Sequence, residues 1–84
     1  MAVGNVLSID GFRFFMPPND HEPSHVHVEK GDFATKIDIS GDEAVVMKGE
    51  ENKRTAKAPK LKKKALRLAN ANLQELKKEW RERQ

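Results

Sequence analysis

All three histidines of this 84-residue chain fall within seven positions, in the run His21-Glu22-Pro23-Ser24-His25-Val26-His27-Val28-Glu29. Histidine titrates nearest neutral pH and is the commonest metal ligand. The cluster is therefore suited to two kinds of chemistry. Two imidazoles beside a phosphodiester can cleave RNA. One takes the 2′-hydroxyl proton, the other protonates the leaving oxygen, and a cation stabilises the phosphorane charge. His25 and His27 are the candidates for proton transfer, with Arg13 or Lys36 as the cation. This catalytic reading needs no metal and no cofactor. The other chemistry is zinc binding. His-x-His on a strand supplies two ligands, and His21, Asp20 or Glu22 could supply a third. With no cysteine in the chain, a thiolate site and a disulfide framework are both excluded. The plainer explanation is that an antiparallel sheet with one wet face carries charged residues there in any case.

The elements that must position these residues follow from the hydropathy pattern. His25-Val26-His27-Val28 alternates as a β-strand does, so both imidazoles share one face and both valines the other. Val6 to Ile9 is a first short strand, and Asp10-Gly11 is a hairpin signal leading into Phe12 to Met16. Pro17-Pro18-Asn19-Asp20 is loop. After the histidine strand, Lys30-Gly31-Asp32 turns the chain into Ala34 to Ile39. Ser40-Gly41-Asp42 then leads to Glu43 to Lys48, an edge strand. With the apolar sets facing a core, the opposite face gathers Arg13, Phe15, His25, His27, Glu29, Lys36 and Asp38.

Residues 1–84 read as one domain: a β-meander over 1–48, a linker over 49–58 and a helix over 59–84. Pro59 suits a helix start. Leu61, Ala65, Leu68, Ala69, Leu73, Leu76 and Trp80 project onto one helical face, with Lys60, Lys63, Lys64, Arg67, Lys78 and Arg81 nearly opposite. The expected fold is α+β: a four- to five-stranded antiparallel sheet packed on one long C-terminal amphipathic helix. Such a helix would reach roughly 35 Å and overhang the sheet. Leu66, Ala69, Leu73, Leu76 and Trp80 are spaced 3, 4, 3 and 4 apart, which also suits a helical partner or a homodimer.

The net charge of +3 divides into −5 over residues 1–50 and +8 over residues 51–84. Lys57, Lys60, Lys62, Lys63, Lys64 and Arg67 form a run with no acid among them, a candidate contact for RNA phosphates; a solvated helix face is the plainer account. No apolar run is long enough to span a bilayer, so no membrane association is expected. The N-terminal residues lack a basic region followed by a long apolar one, so a signal peptide is not expected. A cytoplasmic location fits these features. No Gly-rich phosphate loop, GxSxG elbow, HExxH or helix-turn-helix pattern is present, which disfavours nucleotide-dependent enzymes and serine hydrolases.

Two runs, Asp10-Gly11-Phe12-Arg13-Phe14-Phe15 and Asn19-Asp20-His21-Glu22-Pro23-Ser24-His25-Val26-His27-Val28, together resemble the bacterial domain-of-unknown-function family 4160. The likeness extends over most of the chain, through an alternating strand to a basic C-terminal helix. Family members often show Pro where Ser24 stands and an aromatic near Met16, and neither departure touches the histidines. The resemblance implies a small cytoplasmic bacterial protein whose gene often neighbours a second small gene, as in toxin–antitoxin pairs. It marks Arg13, His21, His25 and His27 as the positions that carry the family pattern. Two functions follow as expectations. One is a toxin-like ribonuclease using His25, His27 and Arg13, with Lys60, Lys63, Lys64 and Arg67 holding RNA. The other is a non-catalytic binding module, antitoxin-like or metal-binding, that pairs with a neighbouring protein.

Overall fold

Strand alternation and turn chemistry set the first half of the chain. The computed structural model describes residues 5–17, 21–47 and 58–83. Five antiparallel strands follow one another in space as in sequence: β1 (Asn5–Ile9), β2 (Phe12–Phe15), β3 (His25–Lys30), β4 (Phe33–Asp38) and β5 (Val45–Val46). Asp10 and Gly11 join β1 to β2 with φ of 52° and 82°. Positive φ at both central residues matches the right-handed twist of a two-residue hairpin, and glycine adopts it without strain. Lys30 secures this turn: its Nζ donates to the Asp10 carbonyl at 2.9 Å and lies 4.9 Å from the centre of the Phe12 ring. β5 is shorter than the sequence suggests, with Val46 opposite Ile37 and Val45 opposite Asp38. Residues 48–57 lie outside the described residues, and with them Lys48, Lys57 and nearly all of the expected linker.

Cross-strand register sorts side chains onto two faces. Phe14 opposes Val28, Val26 opposes Ile37 and Ile9 opposes Phe12. Phe12, Phe14, Met16, Val26, Val28, Ile37 and Ile39 are all buried in one cluster with Ala65, Ala69, Leu73, Leu76 and Trp80. The architecture is thus a two-layer α+β sandwich with one core between sheet and helices. The stripe of Ala69, Leu73, Leu76 and Trp80 that could have met a helical partner packs inside its own chain. Thr35 is the exception within the core: its hydroxyl is buried without a hydrogen-bond partner.

The expectation of one long helix is corrected. Pro59–Ala71 forms α1, 13 residues long, and Leu73–Arg83 forms α2, 11 residues long. Asn72 between them adopts φ −118° and ψ 21°, outside helical values. Its N–H is shared between the Leu68 and Ala69 carbonyls, each at 3.2 Å. Its side-chain Nδ2 donates to the same Leu68 carbonyl at 2.8 Å. An Asn amide competes for backbone acceptors in this way, and that competition bends or ends helices. Periodicity alone does not register it, since the apolar stripe runs on through both helices. The expected overhang is also absent, because Trp80 near the end of α2 is 4% exposed and packed in the core. No helix of the described residues is long and apolar enough to cross a membrane.

Two hydrogen bonds fasten the helices to the loop between β4 and β5. Asn70 Oδ1 accepts from the Ala44 N–H at 2.8 Å, and Lys77 Nζ donates to the Gly41 carbonyl at 2.6 Å. Ala44 is buried, so removing its acceptor strands an N–H group. Asn70→Ala is expected to cost about 1–2 kcal/mol in urea denaturation. Asn70→Asp, which keeps the accepting oxygen, is expected to lose less; equal losses would show that the Ala44 bond contributes nothing.

Candidate functional site

The histidines stand where strand alternation puts them, but in unequal surroundings. His27 opposes Phe15 on β2 and Lys36 on β4, while His25 opposes Asp38. All five belong to the sheet face away from the core. His27 is half-buried, and its ring stacks on Phe15 with centroids 5.1 Å apart and planes 25° apart. His25, one pleat further on, lies 5.3 Å from His27 and 5.2 Å from Trp80, centre to centre. Only 5% of His25 is exposed. The expectation of two wet imidazoles is therefore corrected: one is open and one is covered.

The cause is local. Trp80, near the end of α2, lies against the ring of His25 at the start of β3. The Pro23 carbonyl lies 2.8 Å from His25 Nδ1. A carbonyl only accepts, so Nδ1 carries a proton. In the neutral ring this leaves the lone pair on Nε2. His25 is thus held on one side by a hydrogen bond and on the other by an indole. His27 is held by stacking and retains access to solvent.

Arg13 opposes Glu29 across β2 and β3. Its Nη2 donates to Glu29 Oε1 at 2.5 Å, and its guanidinium carbon sits 4.3 Å from the centre of the Phe15 ring. Both side chains of the pair are about half exposed, so the ion pair stabilises the fold by at most about 1 kcal/mol. Its main effect is to orient the guanidinium over Phe15. Asp38 serves the next turn: its Oδ1 accepts from the Ser40 N–H at 2.8 Å and the Ser40 hydroxyl at 2.6 Å. Lys36, directly across from His27, is the second cation of this face.

Phe15, His27, Glu29, Ala34 and Lys36 surround a depression of about 120 Å³. Ala34 makes it possible, as a short side chain among the longer Phe15, His27, Glu29 and Lys36. The strand alternation gathers Phe15, His27, Glu29 and Lys36 here but does not single out Ala34 or Trp80. A small residue between long ones in an alternating strand is a weak signal for a depression. Nothing in the periodicity of α2 signals that Trp80 reaches a histidine.

The remaining candidates lie elsewhere. His21 is exposed, ahead of β3, and Asp20 lies outside the described residues. Among the described residues, no group of three or more His, Asp or Glu side chains is placed to hold a metal ion. Lys60, Lys63 and Arg67 are exposed on α1, whereas Lys64 is half-buried with its Nζ 3.5 Å from Asp10 Oδ2. The apolar side of α1 faces the core, so its basic side points away from the sheet. The histidine face and the basic helix face are on opposite layers of a body 22 Å across its shortest axis.

An α+β domain with a histidine-bearing open sheet face and a basic helical layer is thus defined. The chain belongs to the family described as Domain of unknown function (DUF4160), whose sequence model matches residues 11–81. That span includes the arginine, the paired histidines and nearly all of both helices. No curated protein and no solved structure shows a match to the chain.

Unequal burial separates the two histidines experimentally. His25→Ala removes a buried, hydrogen-bonded ring under Trp80 and is expected to cost about 2–4 kcal/mol. His27→Ala is expected to cost about 1 kcal/mol or less, because its ring is partly solvated. Urea midpoints of the two variants test this, and equal losses would contradict the burial difference.

Proposed function

We propose that the chain is a small RNA-cleaving protein whose working surface is the open sheet face, with His27 as the proton-transferring group. The observation that carries this reading is the convergence of His27 and Lys36, directly opposed across β3 and β4, on the rim of one depression. In this reading His27 removes the 2′-hydroxyl proton of a bound nucleotide. The oxygen attacks the adjacent phosphorus, and Lys36, assisted by Arg13, stabilises the charge that develops on the phosphorane. The bond to the 5′-oxygen breaks as that oxygen takes a proton from the protonated His27 or from water, leaving a 2′,3′-cyclic phosphate. His25 does not reach substrate in this scheme. It acts as a positioning residue, braced by Pro23 and Trp80 behind His27. Such an activity suits the toxin of a toxin–antitoxin pair in the bacterial cytoplasm.

A second reading is a binding module without catalysis, which the separation of the two faces favours. A short RNA seated on the sheet face lies on the opposite layer from the outer side of α1. Lys60, Lys63 and Arg67 are then left for an acidic protein partner such as an antitoxin.

Total cellular RNA incubated with the purified chain, with and without EDTA, distinguishes these readings. Cleavage is expected to persist in EDTA and to fall by about 100-fold or more in His27→Ala. Lys36→Ala is expected to lower it as well, with urea stability of both variants close to wild type. Wild-type rates in folded His27→Ala would sink the catalytic reading. RNA retained but uncut by the wild-type chain would favour the binding module.

A further inference from the structure

The outer side of α1 is a charged surface that the chemistry of the sheet face does not use. Lys60, Lys63 and Arg67 stand exposed along it. Their spacing puts them in one row on the helix, roughly 10 Å long at a rise of about 1.5 Å per residue. The chain has no acid between Glu51 and Glu75, so no carboxylate interrupts the row. Among the described residues none of the three takes part in an ion pair, whereas Lys64 on the same helix reaches Asp10.

The surroundings of the row decide which polyanion fits it. Interfaces between proteins are anchored by buried aromatic or aliphatic side chains and are depleted in lysine. α1 has no aromatic residue, and among the described residues the large apolar side chain left exposed is Val45, on β5. Contacts with nucleic acid are more polar and more positive. One strand of a duplex offers a phosphate about every 3.4 Å along the axis, so the row matches about three successive phosphates. With no ring on α1 for a base to stack on, the bases go unread.

We propose that the outer side of α1 holds backbone phosphates of double-stranded nucleic acid through Lys60, Lys63 and Arg67, independently of base sequence. This contact goes beyond the sheet face and needs none of its chemistry.

Fluorescence anisotropy with a labelled DNA duplex, titrated at several salt concentrations, tests it. DNA has no 2′-hydroxyl, so the probe is silent on the ribonuclease reading. Three phosphate contacts contribute a slope of roughly −2.7 to log K against log salt, or about a 40-fold loss of affinity between about 50 and 200 mM. The Lys60→Ala/Lys63→Ala/Arg67→Ala variant is expected to lose that share of the slope and to keep the wild-type urea midpoint, since the positions are exposed and Ala favours helix. Lys63→Ala alone is expected to lose about 0.9 of the slope and serves if the triple variant fails to fold. Lys78→Ala/Arg81→Ala, which removes exposed cations from α2, is expected to change the slope by less than Lys63→Ala does. A wild-type slope in the folded triple variant, or an equal loss per charge in the α2 variant, would overturn the proposal. Tighter binding of poly-glutamate than of the duplex, lost in the triple variant, would overturn it in favour of an acidic protein partner. None of these outcomes bears on cleavage at His27.

Discussion

One constraint governs this molecule: a chain of 84 residues has a single apolar layer, and every strand must present its hydrophobic side to it. The inner face of the sheet is complete, with Phe12, Phe14, Val26, Val28, Ile37 and Ile39 all buried. Among the described residues, both helices pack against the inner face, and the other face stays open. That openness is what makes the histidine face accessible to a ligand. The same constraint shapes the helical layer. Both helices give their apolar sides to the sheet, one on each side of the interruption at Asn72.

The open face is not independent of the helices. Arg13, Phe15, His27, His25 and Trp80 form a continuous row of ring contacts, each 4.3–5.3 Å from the next. The row begins on an exposed guanidinium and ends in the core. It joins β2, β3 and α2, elements distant in sequence, and Pro23 anchors its middle through His25. A side chain on the sheet is thereby braced by the last turns of the chain. His27 thus lies two ring contacts away from Trp80 of α2.

Much of this was legible in the residues. The alternation at His25 to Val28, the Asp10-Gly11 turn and the polar punctuation at Gly31 and Gly41 specify the meander, because period and turn chemistry are local properties. The order of strands followed from short connections. What escaped was set by tertiary contacts. The break at Asn72 depends on a side chain capturing a backbone carbonyl, which a hydrophobic projection does not weigh. The burial of His25 depends on where α2 ends relative to β3. The two faces expected to handle RNA together, His25 and His27 with Lys60, Lys63 and Arg67, are separated by the core. Amphipathicity shows which side of a helix is polar but not which side of the sheet that helix covers.

The segregation of charge along the chain becomes segregation through its thickness. Residues 58–83, the helical layer, carry nine Lys or Arg and three Glu, while residues 5–17 and 21–47 carry three basic and seven acidic side chains. Among the described residues, charge is divided between the layers, positive on the helices and negative on the strands and their turns. A polyanion drifting in from beyond the screening length of about 8 Å meets a field that turns the helices toward it and the histidines away. For a polyanion bound at the sheet face, as proposed, first encounter and final docking would occur on different sides. On that reading association becomes a reorientation problem, and added salt, by flattening the dipole, removes the bias toward the helices.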